Sequence, residues 1–148
     1  MIPEINQHVI GFMQGRLSPI IDGKIQAFPW DCWQKEFPEA SRCGISLLEW
    51  ILDQNRLNGN PIMTHDGREE IQILCQKHGI KIDSVTGDCF MQAPFFKVHG
   101  NALEEGLQDL EDIIRACASA GITYIMFPLV DNGRIESLSQ EKQLCAVF

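Results

Sequence analysis

The chain has 148 residues, is 45% hydrophobic, and carries a formal charge of −8 from 12 basic and 20 acidic residues. That length suits one globular domain with its own core, and no apolar run approaches the roughly 20 residues of a membrane span. A net negative domain gains no counterion-release energy on phosphate backbones, which argues against a nucleic-acid partner, and the N-terminus lacks the basic-then-apolar pattern of a secretory signal.

Val9–Met13 reads as a first strand, apolar on both faces as in a parallel sheet covered by helices. Residues 18–31 read as a long loop, with a small hairpin around Asp22-Gly23 and with Trp30 and Trp33 packing as large apolar rings. A helix is expected over Trp33–Cys43, with Trp33, Phe37 and Ala40 on one face, then a strand over Ile45–Trp50 that Glu49 interrupts. Asn58-Gly-Asn-Pro61 marks a loop. Asp66-Gly-Arg-Glu69 starts a second helix, along which Ile71, Leu74, Cys75 and His78 recur at helical spacing.

Ile80–Val85 is the third strand and residues 89–100 a loop whose Phe90, Met91, Phe95 and Phe96 are expected to cap the fold, the competing reading being that they line a substrate pocket. The longest helix runs Ala102–Ala120, with Leu103, Leu107, Leu110, Ile114 and Cys117 facing inward and its acidic residues concentrated early, near the positive end of the dipole. Ile122–Phe127 is a fourth, buried strand, and Ser137-Leu-Ser-Gln140 resembles a capping box that opens a last helix carrying Leu144, Val147 and Phe148. An amphipathic helix that stops there reads as the front part of something longer.

Three joints repeat: Cys43-Gly44-Ile45, His78-Gly79-Ile80 and Ala120-Gly121-Ile122, their glycines 35 and 42 residues apart. A helix that stops at glycine and drops into an apolar strand is an αβ joint. Its repetition implies parallel strands linked by right-handed crossovers. These strands form either an open doubly wound sheet or part of an eight-stranded barrel. Gly11-Phe-Met-Gln-Gly15 is not the Gly-rich phosphate turn of the open sheet, and long polar loops follow every strand, as in barrels. None of the six cysteines forms a C-x-x-C pair, and Cys75 and Cys117 fall on apolar helix faces, so they read as reduced core thiols of a cytoplasmic protein.

The order Gly11-Phe-Met-Gln-Gly-Arg-Leu-Ser-Pro19, Leu48-Glu-Trp50, Asp83-Ser-Val-Thr-Gly-Asp88 and Phe127-Pro-Leu-Val-Asp-Asn132 resembles the xylose-isomerase-like TIM barrels, and within them the sugar-phosphate isomerase/epimerases. The resemblance runs from about residue 8 onward. Such barrels need about 250 residues, so the chain would supply the first half, about four β/α units. The resemblance implies isomerisation or epimerisation next to a carbonyl, assisted in the full-length parent by a divalent metal (Mn, Mg, Zn or Co). The family's metal ligands come from strands five to eight, so it implies no metal ligand in this chain, no metal for the chain alone, and no turnover by it.

The substrate-facing candidates are Arg16, Glu49, Asp88, Gln14 and Asp131. Arg16, just after the first strand, places a guanidinium where it could grip a phosphate or carboxylate, and its competing reading is a surface ion pair. Glu49 sits where the resemblance implies a mouth-facing carboxylate, and within an apolar strand it needs a partner. Asp88 has a similar case, with a capping role as its competitor. Gln14 and Asp131, in the turns that follow the first and fourth strands, rank lower, and His8, His65 and His99 read as ordinary histidines rather than ligands. The expected partner is a small sugar or sugar phosphate. The alternatives are a non-catalytic half-barrel that assembles with itself through its open strand edges, and a sugar-binding module without turnover.

Overall fold

The computed structural model describes residues 9–21, 23 and 27–148, so His8 and the hairpin expected around Asp22 lie outside the described residues. Four strands, β1 (Gly11–Met13), β2 (Leu47–Ile51), β3 (Lys81–Thr86) and β4 (Tyr124–Met126), form one sheet in the order β1-β2-β3-β4. Every pairing is parallel. Between and after them lie α1 (Glu36–Arg42), α2 (His65–His78), α3 (Asp88–Gln92), α4 (Asn101–Ala120) and α5 (Leu138–Cys145).

The three joints share one backbone solution. Gly44, Gly79 and Gly121 take φ of 72°, 66° and 74°, the left-handed region that costs a residue with a Cβ. In each, the following isoleucine N–H donates to a carbonyl five residues back: Ile45 to Ala40 at 2.9 Å, Ile80 to Cys75 at 3.1 Å, Ile122 to Cys117 at 2.9 Å. This is the Schellman arrangement, which satisfies the last helical carbonyls while turning the chain toward the sheet.

Because strand order never reverses, right-handed crossovers carry every connecting helix to the same side of the sheet. Burial agrees. Leu48 and Trp50 of β2 and Ile82 and Val85 of β3 join one core with Phe37 and Ala40 of α1, Ile71 of α2, and Leu110, Ile113 and Cys117 of α4. The residues between them face the other way, with a register shift opposite Leu47–Glu49 that lets both Ile82 and Val85 of β3 reach the core. On that other face Tyr124 is 66% and Met126 51% exposed, Met13, Leu47, Glu49 and Ser84 are half-buried, and Ile51 and Thr86 at the ends of β2 and β3 are buried.

Several expectations shift. The first helix opens as a 3-10 turn, Trp33–Lys35, and becomes α-helical at Glu36. Thr64, not Asp66, caps α2: its extended backbone lets its hydroxyl accept the Gly67 N–H at 3.1 Å. The loop expected over 89–100 contains α3 and a further 3-10 turn, Phe95–Lys97, with Phe90, Phe95 and Phe96 all buried. On α4 the inward stripe steps from Leu110 to Ile113 and Cys117, which leaves Ile114 47% exposed. The fourth strand is shorter than expected and is not buried, since only Ile125 of its three residues packs toward the core. At α5, Ser137 Oγ accepts the Gln140 N–H at 3.3 Å and Gln140 Oε1 accepts the Glu136 N–H at 2.8 Å, a capping box displaced by one residue. Among the described residues no helix is long and apolar enough to cross a membrane.

Candidate functional site

Glu49 stands on the uncovered face between two core residues of the same strand. Met13 of β1 and Ser84 of β3 are its neighbours in register. Its carboxylate accepts the Ser84 hydroxyl at 3.2 Å and the Thr86 hydroxyl from the next same-face position. These are the partners that a carboxylate in an apolar strand requires. Ser84 and Thr86 are two residues apart, so period-two alternation alone puts them on one face. That signal was present in Asp83-Ser-Val-Thr86. What it lacked was a reason to pair them with a strand 35 residues away.

Beside Glu49 a shallow cleft of about 270 Å³ is lined by Met13, Leu47, Glu49, Asp83 and Ser84 among others. Asp83 pairs with Lys81 at 2.7 Å. A catalytic divalent cation takes three or more protein ligands, or several carboxylate and carbonyl oxygens. Glu49, bonded to two hydroxyls, and Asp83, paired with Lys81, do not by themselves make such a set. Among the described residues this face offers hydroxyls, the Glu49 carboxylate, the Lys81-paired Asp83 and apolar surface. Elsewhere among the described residues one group of ligand-type side chains does cluster, His65, Asp66 and Glu69 near the start of α2, all three exposed. His65 Nδ1 lies 3.5 Å from Asp66, a contact between two exposed side chains of the helix surface.

The other candidates divide. Gln14 is fully buried at the end of β1. Its N–H donates to the Glu49 carbonyl at 2.9 Å and its Oε1 accepts the Ile51 N–H at 3.2 Å, so it ties the ends of β1 and β2 together. Its Nε2 is enclosed with no hydrogen-bond acceptor among the described residues. Arg16, two residues on, is exposed. Asp88 is 5% exposed and opens α3. Asp131 is exposed at the head of a 3-10 turn, Asp131–Gly133, with φ of 47°. Asn132 beside it donates to the Met91 carbonyl at 3.2 Å, which places that turn against α3.

The residues that hold the strand-end loops together were not legible beforehand. Asp53, after β2, accepts the Phe28 N–H at 3.1 Å and Gln92 Nε2 at 2.7 Å, and Gln92 Oε1 accepts the Gln54 N–H at 2.8 Å. Together with Asn132 this links the loops that follow all four strands. Asn60, 1% exposed, accepts Trp50 Nε1–H at 2.8 Å and donates to the Ile51 carbonyl at 3.2 Å. Trp30 lies under the Arg56 guanidinium, 3.8 Å from its ring centre. All six cysteines are free. Burial pushes Cys75 and Cys117 up to about 11 and Cys89 to about 12, values that keep these thiols protonated and inert. No protein-family model matches the chain, and no curated protein matches it at a significant level.

Proposed function

We propose that the four strands are the opening half of a closed (β/α) barrel of the xylose-isomerase-like kind. In this reading their uncovered face, near the carboxyl ends of the strands, holds a sugar or sugar phosphate for isomerisation or epimerisation in the completed barrel. The unreversed strand order and the single bare face support the barrel. The observation that carries the sugar reading is the Glu49 carboxylate, held on that face by Ser84 and Thr86. A carboxylate has about four lone-pair sites. Two are taken, and two remain for the hydroxyls of a polyol. Met13, Leu47 and Tyr124 offer apolar surface for its C–H faces. The family's metal ligands belong to strands five to eight, so these residues supply the grip on the sugar, and the chain alone binds without turnover.

Calorimetry of the 148-residue chain with D-fructose and D-xylulose tests this directly. The expected result is weak binding that Glu49→Ala weakens by about tenfold or more, the worth of hydrogen bonds to a charged group. Equal heats from the wild type and the variant would refute the reading. Interconversion of the sugars by the chain alone, with Mn or Mg added, would refute the assignment of turnover to the later strands.

A second reading has its own observation. Among the described residues β1 and β4 are the edge strands of the sheet, and Val9 and Ile10 beside β1 are 67% and 65% exposed. Such edges invite pairing, and two copies would bring four plus four strands. Sedimentation showing a dimer at micromolar concentration supports it, and a monomer removes it.

A further inference from the structure

On the helix-covered side of the sheet, α2 and α4 leave a groove between them. It encloses about 780 Å³, against about 270 Å³ for the cleft beside Glu49. Small-molecule sites typically enclose about 300–1,000 Å³ and are mostly apolar, with a few placed polar groups. The floor of this groove is aliphatic: Ile71 of α2, Ile80 and Ile82 around the start of β3, and Ile122 before β4. Each of the four keeps 5–8% exposure, whereas Ile113 of the same core keeps none. The floor is therefore reachable from outside. The walls are Cys75 on α2 and Ser119 and Ala120 on α4, and short side chains at these positions leave the space open.

One cation stands at the waist of the groove. Arg68 of α2 is half-buried, and with Ser119 it also lines a second cleft of about 360 Å³ farther along α4. Its place is fixed by the turn that carries it. The Thr64 hydroxyl accepts the Gly67 N–H and the Thr64 carbonyl accepts the Arg68 N–H, both at 3.1 Å. A Cβ at Gly67 would stand 2.2 Å from the Pro61 carbonyl oxygen, so glycine lets this turn seat on the segment before it. Arg68 Nη1 then donates to the Ile62 carbonyl at 2.9 Å. That bond leaves the opposite edge of the guanidinium, Nε and Nη2, without an acceptor among the described residues. The neighbouring cations differ: Lys81 is paired with Asp83, and Arg115 with Glu111.

We propose that this groove binds an aliphatic carboxylate, with its head on the Nε–Nη2 edge of Arg68 and its tail along the isoleucine floor. That edge presents two parallel N–H donors, which match the two oxygens of one carboxylate. Because the guanidinium is already held at Nη1, less ordering is required on binding. Arg68 and Cys75 stand seven residues apart on α2, about 10 Å along its axis, which suits an unbranched chain of medium length. No Phe, Tyr or Trp lines the groove, so its walls favour a flexible chain over a flat ring. Burial of the tail removes apolar surface from water on both partners. The site lies across the sheet from Glu49 and stands or falls independently of the sugar reading.

The test is calorimetry of the whole chain with octanoate, 1-octanol and butyrate, on the wild type and Arg68→Met. Octanoate is expected to bind about tenfold or more tighter than 1-octanol, which keeps the tail and lacks the charge. It is expected to bind about tenfold or more tighter than butyrate, which keeps the charge and loses half the chain. Arg68→Met, with an unbranched apolar side chain, brings the octanoate-to-octanol ratio to about one. Amide shifts at Gln72, Cys75 and Gly121 in nitrogen-labelled protein are expected to locate the ligand in the groove. Shifts confined to Tyr124 and Met126 would put the tail on the bare sheet face and overturn the proposal. So would a ratio that Arg68→Met leaves unchanged, butyrate binding as tightly as octanoate, or no heat from octanoate at millimolar concentration. If circular dichroism shows Arg68→Met unfolded, the wild-type ratio decides by itself, and a value near one overturns the proposal.

Discussion

The two faces of the sheet are built from the same strands and meet opposite fates. On β2, Leu48 and Trp50 are 2% and 0% exposed, while Glu49 between them is half-buried and hydrogen-bonded to hydroxyls. On β4, Ile125 packs toward the core, while Tyr124 and Met126 on either side of it are more than half exposed. The covered face is closed by helices and satisfied by apolar contact. The other holds the carboxylate and hydroxyls that a polar ligand could use. Period-two geometry lets one short strand send core side chains to one face and polar side chains to the other, without either set interrupting the other.

The comparison breaks most visibly at Trp50. Trp50→Ala is expected to cost about 3–5 kcal/mol in urea unfolding, as large-to-small changes in packed cores do. Asn60→Ala comes next. It strands the buried Trp50 N–H and the Ile51 carbonyl, and unfolding should register about 1–3 kcal/mol.

A smaller effect is expected at Glu36, fully buried with its carboxylate accepting the Gly15 and Leu17 amides, and appears as a pH dependence. Its carboxyl is raised above the ordinary range, chiefly by burial. The folded state therefore keeps this proton to higher pH than the unfolded chain. The stability it contributes is present below the ordinary carboxylate range and is lost as pH rises through the raised value. Across that window the wild type should gain on Glu36→Gln as pH falls, in denaturant curves taken at a series of pH values. The opposite slope would mean that the Gly15 and Leu17 amides outweigh desolvation. The smallest effect is at Tyr124. With the bare face open to solvent, Tyr124→Ala should change stability by no more than about 0.5 kcal/mol. A cost approaching that of Trp50→Ala would show that something covers this face in solution.

The parts of the fold that were legible in advance are the local ones. Gly44, Gly79 and Gly121 each precede isoleucine, and each closes its helix through a bond spanning five residues. Both the residue type and the consequence lie within one short stretch. The core stripe of α4 was nearly legible. Ile113 and Ile114 are adjacent and chemically identical, and only the direction in which the sheet lies selects Ile113. The helix α3 was hidden because five residues make too short a period to register.

The candidate site follows the same division. Glu49 stood out as a carboxylate in an apolar run, but its partners arrive from β3, and Glu36 reaches back 21 residues to Gly15. Residue order by itself settled the alternation of helix and strand and the parallel direction of the strands, because glycine conformations and hydrophobic periods are properties of neighbours along the chain. Which face of the sheet would be covered, which carboxylate would be buried and which turn it would hold were decided only when distant segments packed together. Desolvation and hydrogen bonding depend on what surrounds a side chain in space.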